Sequence, residues 1–238
     1  MQLSRISYRR YTFFFCCFTS LLTTACGIPS FIYLEKPQYP THNPSNLTAL
    51  NDRYCAFKTA DGWNTANASG YFQGTEIYYR IYERKNDCEN DRDIINEYND
   101  KNPFAAAEYL ENTKKYYRLA TTNISTRPLI GTYPSNASVR FRLQDYGSPV
   151  IDPAQLTIAG VQHGIPQRDA GIPSNKRVFD KEKIAVGDDD VQRSSVPSET
   201  NEYWCVNFYA VSYGYTSAFS TLHSALEYLG YIVIEKNP

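Results

Sequence analysis

The chain lacks an excess of charge of either sign: 24 Lys and Arg face 25 Asp and Glu across 238 residues, a formal net charge of -1. Without a basic stripe or a long block of one sign there is no electrostatic footprint for a phosphate backbone, and nucleic acid is not an expected partner. Histidine is scarce, and His42, His163 and His223 are scattered. A lone histidine with no partner in reach is more often a surface or loop residue than a ligand or base. No C-x-x-C occurs and no Cys/His group has metal-ligand spacing, which argues against a structural zinc site or a thioredoxin-type redox pair. G-x-S-x-G, H-E-x-x-H, a P-loop and a helix-opening G-x-G-x-x-G are also missing, so no catalytic residue and no cofactor are assigned.

Aromatic residues, by contrast, are plentiful, with 21 Tyr, 12 Phe and 2 Trp. This composition favours strand-rich structure with exposed polar-tipped rings. A hydrophobic content of 42% is that of a folded soluble protein with one large or two small domains.

Met1 to Ala25 contains no acid, places Arg5, Arg9 and Arg10 before the apolar run Tyr11 to Leu22, and closes on small Thr23-Thr24-Ala25. That is the layout of a signal peptide. A membrane-spanning helix needs about 20 apolar residues; this run is shorter and is followed by helix-breaking Gly27 and Pro29. Cleavage after Ala25 is expected. Leu21-Leu22-Thr23-Thr24-Ala25-Cys26 resembles a bacterial lipobox in the relaxed form of spirochaete lipoproteins, with Thr23 where Leu is usual. The resemblance implies a lipidated Cys26 and a membrane anchor. Gly27 stands where inner-membrane retention would use Asp, so outer-membrane or cell-surface attachment follows by analogy. Losing the segment removes three positive charges and takes the formal charge from -1 to -4. Residues 26–48, with Pro29, Pro37, Pro40 and Pro44 among Ser and Asn, read as an extended tether before a single domain over 49–238.

Four N-x-[ST] tripeptides, at Asn46, Asn67, Asn123 and Asn136, serve as loop markers. Tyr54 to Thr59 and Tyr71 to Tyr82 read as strands, separated by turns at Asp61-Gly62 and Asn67-Ala68-Ser69-Gly70. Ile94, Ile95 and Tyr98 share a face of a short helix. Asn102-Pro103 then opens a second helix, Pro103 to Ala120, with Phe104, Ala107, Leu110 and Tyr117 on its apolar side. Ser138 to Gln144 alternates as a half-buried strand, with Gln155 to Val161 as a neighbour. Ile165 to Asn175 reads as a loop, and Arg177 to Val186 as a further strand ending at Gly187-Asp188-Asp189-Asp190. Three consecutive carboxylates without an EF-hand pattern read as a solvated acidic turn, not a calcium site. At the C-terminus Phe219, Leu222, Leu226 and Leu229 fit a helical stripe, but Ser217, Ser220, Thr221 and Ser224 are poor helix formers and favour strand.

Trp204, Val206, Phe208 and Ala210 alternate with Cys205, Asn207 and Tyr209, and Leu229 to Ile234 follows a Ser/Thr-rich turn. This resembles the last hairpin of a fibronectin type III sandwich, and Gly74-Thr75-Glu76-Ile77-Tyr78-Tyr79-Arg80 resembles that family's central strand, with Thr75 where an aromatic is usual. The resemblance implies a mainly β fold, a fibronectin type III/immunoglobulin-like β-sandwich carrying a helical insertion around 90–120. It places the strand ends at Tyr54, Tyr82 and Trp204 at one pole, which makes Cys55, Cys88 and Cys205 neighbours. Cys205 alternates away from Trp204 and Val206 while Cys88 lies in a Lys-Asn-Asp loop, so the expected disulfide is Cys55–Cys88.

Burying Ile77, Tyr79 and Ile81 turns Tyr78, Arg80 and Tyr82 to the other face, and burying Val206, Phe208 and Ala210 likewise turns out Asn207 and Tyr209. In the sandwich these strands are adjacent. The outward residues then form a Tyr/Arg/Asn recognition patch for a protein or carbohydrate ligand, unless the inserted helices cover them as a second core. The resulting expectation is a membrane-anchored binding or structural lipoprotein of the cell envelope. The alternative is a lipid-anchored hydrolase whose site is assembled from distant residues, for which two carboxylates, or a Ser with a His, would have to meet in a pocket.

Overall fold

Alternation along Phe72–Tyr82 and Tyr203–Tyr215 produces two long strands of 11 and 13 residues, because a period of two sorts side chains onto opposite faces of a sheet. The computed structural model describes residues 32–44, 49–169, 171–195 and 202–236; the compact unit runs from Tyr33 to Pro238. Its strands are β1 (Gln38–His42), β2 (Tyr54–Lys58), β3 (Phe72–Tyr82), β4 (Tyr117–Thr121), β5 (Ile130–Gly131), β6 (Ser138–Arg142) and β7 (Gln155–Ile158). They continue as β8 (Val161–Gln162), β9 (Pro166–Arg168), β10 (Val191–Gln192), β11 (Tyr203–Tyr215), β12 (Thr221–His223) and β13 (Glu227–Glu235). Helices α1 (Asp61–Asn67) and α2 (Lys85–Lys101) flank β3, and a short coil of mixed helical pitch spans Pro103–Thr113.

Two antiparallel sheets result. The smaller has the order β1-β2-β6-β7-β8, and the larger runs β12-β11-β3-β4-β9, with β13 paired to β11 and short β5 and β10 to β3. Among the described residues only β10 joins in parallel. Cys55, Phe57 and Phe141 from the small sheet meet Ile77, Tyr79, Ile81, Val206, Phe208 and Ile232 from the large one. Phe141 and Phe208 touch edge to face with centroids 5.0 Å apart, a geometry that adds about 0.5–1.5 kcal/mol to the burial of their area. A second cluster lies on the outer face of the large sheet, where Tyr78, Tyr82, Cys205, Tyr209 and Val233 pack on Cys88 and Ile95 of α2 and on Ala106, Ala107 and Leu110.

Several sequence expectations need correcting. The segment taken as tether is folded from Tyr33 to Pro44: Leu34 is buried, β1 pairs with β2, and Asn64 bonds both the N–H and the carbonyl of Glu35. The turn expected at Asp61-Gly62 is helix α1. The helix expected to Ala120 stops at Thr113, and Phe104 is exposed. The chain reverses through Lys115 at φ 55 and enters β4, because pairing of Arg118 with Tyr78 extends the large sheet. Arg177 to Val186 contributes only the isolated bridge of Val178 to Gln167, whereas Pro166–Arg168, taken as loop, is β9. The Phe219-to-Leu229 stripe is not helical; β12 and β13 lie there. The signal-like segment, Cys26 and Asn46 lie outside the described residues. Among the described residues no helix is long and apolar enough to cross a membrane.

Candidate functional site

The five residues proposed as a recognition face do share one face. On β3 and β11 the register pairs Tyr78 with Tyr209, Arg80 with Asn207 and Tyr82 with Cys205. The face is nonetheless covered: Tyr78, Tyr82, Asn207 and Tyr209 are each 0% exposed, and only Arg80 is half-buried. Cys88, Asp91 and Ile95, spaced one helical turn apart, lay α2 across it. The tips of Tyr82, Asn207 and Tyr209 find partners beneath the helix. Tyr82 donates to the Asp91 carboxylate and lies 3.0 Å from the Tyr116 hydroxyl; Asn207 Nδ2 donates to the Cys88 carbonyl at 3.1 Å; Tyr209 reaches Asn96 Oδ1 at 3.1 Å. Burial first, and neighbouring acids after it, push the Tyr78 phenol upward; burial is likewise the largest cause for Tyr82 and Tyr209. The patch is therefore a second, hydrogen-bonded core. The 3-then-4 spacing of Cys88, Asp91 and Ile95 is the signal that would have revealed the cover.

The expected Cys55–Cys88 bridge is not what the fold brings together. All three strand ends lie near one pole, where Tyr82 pairs with Cys205 and Arg53 reaches both Tyr203 and Glu235. But Cys55 points into the core between the sheets while Cys88 sits in the cluster on the outer face, so the large sheet separates them. The sulfur facing Cys88 is that of Cys205, at 2.7 Å.

Beyond the reach of α2, charged groups converge on β3. Arg127 grips Glu76 with two bonds, Nε to Oε1 at 2.6 Å and Nη2 to Oε2 at 2.8 Å. The Tyr78 hydroxyl lies between two carboxylates, 2.8 Å from Glu76 Oε2 and 2.6 Å from Glu111 Oε1, and accepts from Arg127 Nη2 at 3.0 Å. The guanidinium carbon stands 4.3 Å from the Tyr213 ring centroid, and Nη2 lies 3.1 Å from His223 Nε2. Two carboxylates thus meet, as the hydrolase alternative requires, but the crevice beside Glu76, walled by Arg118, Leu119 and Asp169, has no room for a water-sized sphere. No local pattern announces this cluster. Its one trace in the sequence is a glutamate inside the otherwise aromatic and aliphatic alternation of β3, which a buried position obliges to find a cation.

His223 carries the site's pH dependence. Burial first, and the Arg127 charge second, pull its imidazole down from 6.5 to about 4. The folded value lies below the unfolded one, so the associated stability is complete above about pH 6.5 and is lost as pH falls toward 4, a loss on the order of 3 kcal/mol. A His223→Gln variant is expected to flatten the stability profile across that interval. Urea midpoints that track the parent's at every pH would remove His223 from the account.

The acidic turn is solvated only in part, with Asp189 exposed and Asp190 withdrawn. Asp190 is completely buried against Arg168, which Asp188 also holds at 2.8 Å, and Tyr79 donates to Asp190 Oδ2 at 2.8 Å. Among the described residues no group of three His, Cys, Asp or Glu is arranged to hold a metal ion. At the pole marked by Arg53 and Glu235, a cleft of about 480 Å³ is lined partly by Leu143, Val178 and Phe179 and in equal part by polar and charged groups, Asp145, Asp180, Lys181 and Glu235 among them. Carboxylates sharing one pocket meet the condition set for the hydrolase alternative, and the same groups can orient a bound ligand.

No protein-family model matches the chain, and no curated protein or solved structure matches it at a significant level.

Proposed function

We propose that this chain is an exported bacterial envelope lipoprotein, cleaved after Ala25 and lipidated on Cys26, whose sandwich works as a binding or structural module on the outer membrane or cell surface. The sandwich is of the fibronectin type III kind: the pairing of β13, β11, β3 and β4 in one sheet and of β1, β2 and β6 in the other supports this, since it follows the division of strands in immunoglobulin-like sandwiches.

The anchored reading rests on the sequence of residues 1–26, with its Arg-led apolar run and Thr23-Thr24-Ala25-Cys26. Among the described residues packing begins at Tyr33, on the Trp63 ring and seven positions after Cys26, so the leash between a lipid on that cysteine and the folded unit reaches at most about 25 Å. This is a close mount, shorter than the tether expected from sequence. The module reading draws on the paired state of the polar clusters. Glu76, Asp91, Asp152 and Asp190 each face a cation of the chain itself, which leaves the polar cleft as the recognition site for a protein or carbohydrate ligand.

A Cys26→Ser variant tests the reading. In a bacterial host that processes lipoproteins, it should lose palmitate labelling and move from the detergent phase to the aqueous phase, or remain unprocessed. Unchanged labelling and partition would overturn the anchor.

A further inference from the structure

We propose that Cys88 and Cys205 are a disulfide-forming pair that locks α2 onto the large sheet, and that Cys55 stays a free thiol. The two sulfurs lie 2.7 Å apart, inside the roughly 3.5–4.0 Å at which unbonded heavy atoms rest. Both residues are buried, at 0% and 1% exposure. Their approach is built into the topology. The chain leaves β3 at Tyr82, turns within two residues into α2, and its first turn folds back over the end of its own sheet, where Cys205 is the Cα partner of Tyr82. Asn207 fixes the same turn by donating to the Cys88 carbonyl at 3.1 Å. Cys55 has no such neighbour, because it lies in the core on the opposite side of the sheet.

The reaction is thiol–disulfide exchange with a disulfide-bearing oxidant, either an oxidised dithiol protein or a small-molecule disulfide. One thiolate attacks the oxidant's S–S bond and forms a mixed disulfide with release of one thiolate. The second cysteine attacks that mixed disulfide, closes Cys88–Cys205 and releases the other half of the oxidant. The pair loses two electrons and two protons, and the oxidant takes up both. Burial pushes the Cys88 thiol well above its ordinary range, so exchange belongs to the folding chain, before α2 closes over the sheet. A pair 117 residues apart ties the helical cover to β11, the strand that pairs with both β3 and β13.

The presence of an oxidant in the cell rests on the export reading, and the test separates the two. The full chain is isolated from a bacterial envelope, alkylated in denaturant and mapped without reduction; in parallel it is reduced, unfolded and refolded in a glutathione redox buffer before the same mapping. The expected result in both arms is a peptide containing Cys88 joined to one containing Cys205, lighter by two hydrogens, with Cys55 alkylated. Bridging in the refolded arm alone supports the pair and counts against export. Full alkylation of Cys88 and Cys205 in the refolded arm, or a bridge to Cys55 in either arm, would overturn the proposal. A Cys55→Ser variant should leave the bridge unchanged, which excludes disulfide exchange during handling.

Discussion

Replacing Asp190 by alanine is expected to destabilise the domain by about 3–5 kcal/mol, the range for removing one partner of a buried ion pair. Arg168 and Asp190 are both 0% exposed. Arg168 Nε donates to Asp190 Oδ2 at 2.8 Å, Nη2 donates to Oδ1, and the remaining bonds go to Asp188 and to the carbonyls of Lys176 and Lys183. One side chain on β9 thereby holds the whole excursion from Lys176 to Asp190 against the sheet, and the same carboxylate receives the Tyr79 hydroxyl. Without Asp190, a guanidinium is left in the interior with one half-buried carboxylate, and a phenol loses its acceptor. An apolar double replacement, Arg168→Met with Asp190→Leu, should recover much of the loss, because the desolvation penalty disappears with the charges. Urea unfolding of Arg168→Met, Asp190→Leu and their double gives the coupling. A loss below 1 kcal/mol for Asp190→Ala would mean that solvent reaches the pair.

A second large effect is expected from one methyl group. Gly74→Ala should destabilise by about 3 kcal/mol, combining backbone strain with overpacking. Gly74 has φ +149, and a Cβ there would stand 2.0 Å from the Ile130 carbonyl oxygen and 2.8 Å from Pro128 Cγ. The obstacle is backbone of β5, paired with β3 through Gly131 and Ile130, so relief requires displacing the strand and the loop before it. That loop carries Arg127, and its displacement would weaken the grip on Glu76 as well. Gly171 provides the control: φ is +67, yet nothing lies within 4 Å of its would-be Cβ. Gly171→Ala should therefore cost only about 1 kcal/mol or less. Equal losses at the two positions would place the cost in backbone torsion alone.

The sheet-forming stretches were legible because packing on both faces acts on a period of two. Val206, Phe208 and Ala210 face the small sheet and Cys205, Asn207 and Tyr209 face away, as alternation requires. What covers the far side was not legible in the same terms. A strand exposing Tyr, Arg and Asn and a strand burying them under a helix have one alternation; the difference lies in α2, whose 88-91-95 stripe is small and partly polar. Lys114-Lys115-Tyr116-Tyr117-Arg118 shows the opposite failure. Its local preference suits a helix, yet the hydrogen bonds offered by β3 outweigh it after the reversal at Lys115. The cluster around Glu76 draws on β3, the coil at Glu111, the loop at Arg127 and the strand at His223, four segments with no sequence relation. The acidic turn misled for a related reason: three adjacent aspartates suggest solvent, and only Arg168, far away in a segment read as loop, makes burial of one of them tolerable.

The edges of the smaller sheet bear on how copies of this chain meet when crowded. A strand with one free side offers its row of amide donors to any passing chain, and flat edges of that kind seed self-association. Here β1 carries Pro40 in its middle and is flanked by Pro37 and Pro44; proline has no N–H to lend and resists the flat pairing that a growing sheet needs. The far edge, β8, is two residues long. Neither rim of this sheet presents a long row of free amide donors, so growth of a ribbon through the smaller sheet is disfavoured.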